Sequence, residues 1–578
     1  MKRANRSFFH TPGIVPVVLL IFALLTAGCS GQTSAEPAAS LPTQATQPTT
    51  EPTTEPPKQW ESGYIAALEP EVTCLDKDGT PLRTLLRGSR VEYERTDDGA
   101  FAIVLDEGMG YLPQGAEIVA DPADVIPVHT LYVQTGVNLR DAGSRLLDPF
   151  LNKGTAVQVI GYDRLLEDGT AHMYRVTGEQ GEGYVMPWYL TASEADALAN
   201  YDNGSYAIHA DRGDRYGGGG AADLDYFPRE KGPIAGNDMP EECRTLYLVN
   251  WCLDRVDEYI AIAEGSGINA FVVDIVDGGS IGYASAVMTQ NCPTGAASPN
   301  NTVEEYQAAI QKLKEAGYYV IGRITTFNDT CFVQDHPEYA IADTDGQPLK
   351  LAGEYWPSPY NRTVWQYKVD LALEAVELMG FQEIQFDYVR FPDNTWRYEN
   401  NGTIDFRNTY GETKAQAIQR FLMYAADRLH EKGVYVSADV YGESAYTYVT
   451  AYGQYWPAIS NVVDAISGMP YPDHFEASGS WRPWEHPYDT LYTWGQHAMN
   501  RQSETATPAA VRTWIQAYNA IREPYTTYGP DQVAAQIRGL RDAGCTGGYM
   551  TWNSGSSIEK YAWLVPAFAP PEETENET

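Results

Sequence analysis

Asp387 ends one apolar run of this chain, Asp439 lies in the next, and Glu443 follows four residues later. Paired carboxylates are what cleavage of a glycosidic bond needs. One protonates the leaving oxygen, and the other attacks the anomeric carbon or activates water. Arg390 stands three residues after Asp387, and Arg323 ends an earlier run. Either arginine can keep one carboxylate ionised while burial raises the pKa of the other. Tyr388, Tyr441, Tyr471 and Trp552 occupy further run ends, and aromatic faces stack on sugar rings. Asp274, Asp277, Gln516 and Asn553 complete the polar set expected to bind substrate. A single Asp at a strand end is commonly structural. Several on one rim are costly to bury unless they are paired or used.

The elements that must position these residues repeat. Apolar runs at 245–250, 270–275, 318–324, 383–387, 434–440, 465–469, 513–517 and 547–552 read as strands. Helical patterns lie between them, at 361–379, 412–431 and 530–543 among others. Gly317, Gly380, Gly433 and Gly544 stand where C-cap glycines belong. Strand–helix alternation implies a parallel sheet covered by helices, and eight units fit a (β/α)8 TIM barrel with enlarged loops. A doubly wound sheet is the competitor, but no Gly-rich phosphate loop follows the first strand. In a barrel the residues above gather at the C-terminal strand ends, where active sites form.

Residues 60–195 read differently. Short strands are separated by turn signals such as Asp78-Gly79, Asp98-Gly99 and Asp168-Gly169. Val137-Asn138-Leu139-Arg140 begins the second half, Lys153-Gly154-Thr155 opens a strand, and Gly183-Tyr184-Val185 closes it. This order resembles the bacterial SH3-like module. Residues 60–125 resemble a divergent copy, ending in Gly110-Tyr111-Leu112-Pro113. The expected fold class is therefore α/β, a TIM barrel at 241–568 preceded by one or two small all-β SH3-like modules, at 60–125 and 126–195. The resemblance implies cell-wall binding or docking; a rigid spacer is the alternative. A linker at 196–240, rich in Gly and charge, should mark a boundary that few contacts cross.

Within the barrel region the motifs resemble one particular family. Gly267 to Asp274 with Asp277, Tyr318 to Arg323, Pro359-Tyr360-Asn361, and Gln385 to Pro392 carry the likeness. So do Ser437 to Gly442, Tyr471-Pro472, His486-Pro487-Tyr488 and Trp552-Asn553. They resemble the bacterial glycosyl hydrolase family long known as a domain of unknown function, related to α-amylase-like barrels. The resemblance implies a (β/α)8 fold and carbohydrate chemistry. It implies Asp387 as the fourth-strand nucleophile or base. The acid expected after the fifth strand is open between Asp439 and Glu443. Gln385 stands where the amylase-like barrels carry an Arg.

The charge of −37, from 40 basic and 77 acidic residues, argues against nucleic acid as a partner. Neutral and cationic polymers remain open. Lys2, Arg3 and Arg6 precede a short apolar stretch that runs into Leu25-Thr26-Ala27-Gly28-Cys29, which resembles a lipobox. The expectation is export, cleavage after residue 28 and lipidation of Cys29, so that the membrane is a partner through the lipid anchor. Residues 30–59, rich in Pro and Thr, read as a tether, and 569–578 as an acidic tail. The six cysteines beyond Cys29 could pair in an exported protein. No Cys/His spacing suits a metal, and no cofactor is expected. Two functions are carried forward: a two-carboxylate glycoside hydrolase acting on a cell-surface or extracellular polysaccharide, and a non-catalytic carbohydrate- or wall-binding lipoprotein.

Overall fold

The computed structural model describes residues 60–199 and 218–569. Cys29, the export signal, the tether, residues 200–217 of the linker and residues 570–578 lie outside the described residues.

Eight parallel chain runs form one sheet. They are Cys243–Leu248, Ala270–Asp277, Tyr319–Thr325, Glu383–Asp387, Tyr435–Tyr441, Ala465–Met469, Ala510–Val511 with Thr513–Gln516, and Gly548–Trp552. The first six pair in chain order. The seventh is interrupted at Arg512; Ala510–Val511 pairs with the sixth strand and Thr513–Gln516 with the eighth. The eighth returns to the first, Cys243 opposite Gly548, and the barrel closes. Strands enclosed on both faces need no polar alternation. Every residue of Tyr319–Thr325 and of Glu383–Asp387 is buried.

The interruption at Arg512 has a partner. The Arg512 Nη1 donates to both oxygens of Glu383, at 2.8 and 2.9 Å. The Tyr319 hydroxyl reaches the same carboxylate at 3.0 Å, and the Ser437 hydroxyl also donates to it. Glu383 opens the fourth strand, so this network fills the end of the barrel opposite Asp387. A buried ion pair is tolerated only when such hydrogen bonds accompany it.

Short-range signals set the covering helices. Asn361 accepts from the Thr363 and Val364 amides and starts Arg362–Met379. Gly380 ends that helix with φ 71°, a left-handed conformation that costs glycine little. Thr302 and Glu305 form a reciprocal capping box on Val303–Glu315.

Two antiparallel seven-stranded sheets precede the barrel. In each, the strands lie in the order third, second, sixth, fifth, fourth, first, seventh. The first sheet is thus a topological copy of the second. It has its own small core around Ile65, Cys74 and Ile103. The second shares one continuous core with the barrel. Arg140 of the second sheet ion-pairs with Asp427 on the barrel helix Lys414–His430, with both side chains buried. The Tyr189 hydroxyl donates to Asp427 at 2.7 Å, and Arg229 pairs with it at 3.2 Å. The Arg362 Nε donates to Asn138 at 2.8 Å.

The described part of the linker is pinned as well. Lys231 donates to the carbonyls of Ser460, Val463 and Thr507 at 2.6–2.7 Å. The boundary is therefore crossed by buried polar contacts, unlike the expectation from the Gly-rich sequence. Glycine spacing reports local freedom, not what the flanking residues touch. A chain lacking 60–125 should keep the cooperative thermal transition of the barrel. A chain lacking 60–193 should lose several degrees or more, because the apolar core that the second sheet shares with the barrel is then exposed and Asp427 keeps only Arg229 of its three partners. Equal midpoints for the two truncations would contradict this. The six cysteines Cys74, Cys243, Cys252, Cys292, Cys331 and Cys545 are free thiols.

Candidate active site

The turn after the fourth strand fixes Asp387. Tyr388 has φ 48°, a strained value for a non-glycine residue. That turn brings the Tyr388 amide to Asp387 Oδ1 at 2.6 Å. The Thr326 amide donates to the Asp387 carbonyl at 2.8 Å, which ties the turn to the third strand.

Arg323, projecting from the third strand, is the hub. Its Nη1 donates to Asp274 at 2.6 Å and its Nη2 to Asp387 at 2.5 Å. Asp277 lies 3.6 Å away and Asp439 3.8 Å away. Arg323 is 2% exposed, so this charge cluster is screened little by water. Its guanidinium lies 5.7 Å from the ring of Tyr247 and 5.5 Å from that of Trp552. Of the two arginines proposed from sequence, only Arg323 pairs with Asp387. Arg390 donates instead to the Tyr441 hydroxyl at 2.6 Å and pairs with Asp393 at 3.4 Å. Its guanidinium sits among Tyr441, Trp356 and Tyr388, at 4.5–5.2 Å from the ring centres.

Above this cluster opens a cavity of about 310 Å³. Asp387, Asp277, Arg323 and Arg390 line it, with the aromatics Tyr388, Tyr441, Tyr471 and Trp552. Five residues that the sequence reading did not single out also line it: Tyr247, Trp514, His474, Met469 and Ser554. Tyr247 and Trp514 sit inside apolar runs, where aromatics read as core filling. Their polar tips are the clue. The Tyr247 hydroxyl donates to Asp274, and the Trp514 indole donates to Asp439 at 2.7 Å.

Several expected residues take other places. Asp439 reaches the cluster but is closed off from the cavity, with a fully buried side chain. One of its oxygens has no hydrogen-bond partner and faces Arg323 Nε. Burial, then the neighbouring Asp387 charge, raises its pKa well above the usual carboxylate range. Asp274 is likewise buried beneath Arg323, and burial pushes it up to about 7. Glu443 belongs to a 3-10 turn, Gly442–Ala445, and accepts from the hydroxyls of Tyr448 and Tyr452, each at 2.7 Å. It faces an adjoining groove. Gln516 is fully buried; it donates to the Tyr518 carbonyl and accepts from the Asp473 amide. Asn553 accepts from the Ser557 amide at 3.4 Å. Neither lines the cavity. Strand position puts both on the rim, but it does not say where a side chain turns.

Asp274 gives a pH prediction. Its carboxyl binds a proton more tightly in the folded chain than at its ordinary unfolded value of about 3.9. That contribution to stability is full below about pH 4 and is lost as pH rises to about 7. Urea unfolding of wild type and Asp274→Asn should show it. The stability of wild type relative to the variant should fall between pH 4 and 7 and level off above. Parallel curves would contradict the assignment.

A family model described as "Putative glycosyl hydrolase domain" matches residues 245–558, more than half of the chain. The chain belongs to that family. The match takes in the first strand from Thr245 onward, the other seven strands whole and every residue of the cavity described above. No curated protein matches the chain. Among solved structures, a hypothetical protein from Ruminiclostridium thermocellum ATCC 27405 is 33% identical. The match covers 34% of this chain and 97% of that one, with a TM-score of 0.29. The glycoside hydrolase domain of PgaB (BpsB) from Bordetella bronchiseptica is 13% identical over 56% of this chain and 98% of that one, at 0.39. The spore cortex-lytic enzyme SleL from Bacillus megaterium QM B1551 is 10% identical over 58% and 76%, at 0.34.

Proposed function

We propose that the protein is a glycoside hydrolase that cleaves an extracellular or cell-surface polysaccharide. The observation that carries this reading is Asp387. It is a carboxylate at the floor of an aromatic-lined cavity, held by Arg323 and by its own strained turn. Family membership supports the same reaction class.

Asp387 acts at the anomeric carbon, as nucleophile or as base toward water. Two carboxylates open on the cavity, Asp387 and Asp277, and both contact the Arg323 guanidinium. Residues held on one guanidinium lie no further apart than the roughly 9.5 Å upper limit for paired glycosidase carboxylates. Asp277 is the residue placed to exchange a proton with the leaving oxygen. Asp439 positions Asp387 through Arg323 and does not itself meet substrate. Tyr388, Tyr441, Tyr471 and Trp552 stack on the sugar rings.

The test is a screen of the chain lacking residues 1–29 against purified bacterial cell-wall and exopolysaccharides, read by new reducing ends. Release from at least one polymer, abolished in Asp387→Asn, is expected. Binding without release from any polymer would favour a non-catalytic carbohydrate-binding protein.

The reading places the protein outside the cell, lipid-anchored through Cys29, with the paired β modules holding the barrel against the wall. Cys29→Ala should move the protein from the membrane fraction to the soluble one. Unchanged partition would show that the anchor is not a lipid on Cys29.

A further inference from the structure

The cavity over Asp387 does not end at its own walls. Tyr441, Met469 and His474 line it, and the same three residues line a second, larger groove of about 840 Å³. Tyr446 and Phe475 line that groove and also a third hollow of about 190 Å³, which reaches Trp481 and Pro483. Three hollows in series, joined by shared side chains, make one trench. It runs from the reacting carboxylate across the loops that follow the fifth and sixth strands. A trench of this kind holds a chain, not a single ring.

Its aromatics are set as platforms. Trp481 is 41% exposed. One face of its indole is covered by the His486 ring, 3.9 Å away and within 7° of parallel. The ring is thus braced flat, and among the described residues no other ring covers its opposite face. The Tyr446 ring lies within 7° of parallel to that of Tyr448, offset with centres 6.2 Å apart, and its other neighbour is the His497 ring at 5.2 Å. A fixed flat ring loses little entropy when a sugar stacks on it. The charged side chains along the second groove are the carboxylates Asp393, Glu443 and Glu476, with Asp473 fully buried behind them, against Arg522. Carboxylates accept from sugar hydroxyl or amino groups and repel acidic sugars.

Resting on the glycosidase reading above, we infer that the trench from Tyr441 to Trp481 is a run of sugar subsites. It takes a linear hexose polymer without acidic groups and makes the enzyme cut within the chain. Neutral and amino-bearing hexose polymers share the chemistry required, and the experiment separates them.

Binding is measured by calorimetry on the full chain carrying Asp387→Asn. The probes are dimers and hexamers of glucose and of N-acetylglucosamine in α and β linkages, of glucosamine, and of galacturonic acid. At least one neutral or amino hexamer should bind tenfold or more tightly than its dimer, and galacturonate hexamer should not. Adding Trp481→Ala should weaken that hexamer about tenfold and leave the dimer unchanged; Trp481→Phe should restore most of the loss. No gain from dimer to hexamer, tighter binding of galacturonate, or an equal loss for both lengths would overturn the inference. The glycosidase reading fails separately. Length-dependent binding with no cleavage by the Asp387 enzyme would leave the trench standing and remove the reaction. Cleavage that yields only single terminal residues would do the reverse.

Discussion

Asp387→Asn should lower turnover by about three orders of magnitude or more while leaving the fold and substrate binding in place. The change removes charge and keeps shape. A group that acts only in the transition state lowers kcat and leaves binding of the ground state nearly untouched. Stability should change little, because Arg323 keeps its bond to Asp274 at 2.6 Å when the charge at 387 is gone. The variant should therefore unfold close to wild type, far from the roughly 3–5 kcal/mol that a stranded buried charge costs. Kinetics and urea unfolding on one preparation separate the possibilities. A large stability loss with an unchanged rate per folded molecule would make Asp387 a structural partner of Arg323 and nothing more.

Arg323→Leu should do the opposite. It removes the cation from a cluster that includes Asp274 and Asp387 in direct contact and Asp439 at 3.8 Å. Leucine fills much of the volume but leaves the carboxylates without a counter-charge, at a cost of about 3–5 kcal/mol. Protonation relieves a stranded carboxylate, so the loss should be smallest near pH 5 and grow as the pH rises. Activity should fall too, since Asp387 loses the donor that orients it. Arg323→Lys restores the charge but not the two-pronged geometry, and should recover stability more than rate. A loss below about 1 kcal/mol at neutral pH would contradict the description of Arg323 as the hub.

The sequence announced the barrel because its signals are local. The apolar runs, the cap at Asn361 and the left-handed stop at Gly380 each act within a few residues. All eight expected strands are present, and only the seventh, split by Arg512, differs in kind. Asp387 was legible for a similar reason: Pro392, five residues on, cannot donate to a ladder, so pairing stops near it and Asp387 falls near the strand end.

Its partner was not legible. Arg323 and Arg390 were equal candidates by type, and only the third strand's place beside the fourth selects Arg323. The direction of a side chain is equally silent. Asp439 and Gln516 end buried against Trp514 and Tyr518, though strand position alone put them on the rim. The seam between the second β sheet and the barrel rests on Arg140 and Asp427, 287 residues apart, and no spacing rule links them. The repeat in the first sheet survives in strand order where its motifs have drifted.

As the proposed nucleophile or base, Asp387 should meet the bond that breaks. A crystal structure of Asp387→Asn holding an uncleaved oligosaccharide of its own substrate tests it most directly. The scissile anomeric carbon should lie within about 3–3.5 Å of the carboxamide at 387, with Asp277 on the leaving-oxygen side. An ordered sugar chain whose glycosidic bonds all lie away from residue 387 would contradict it.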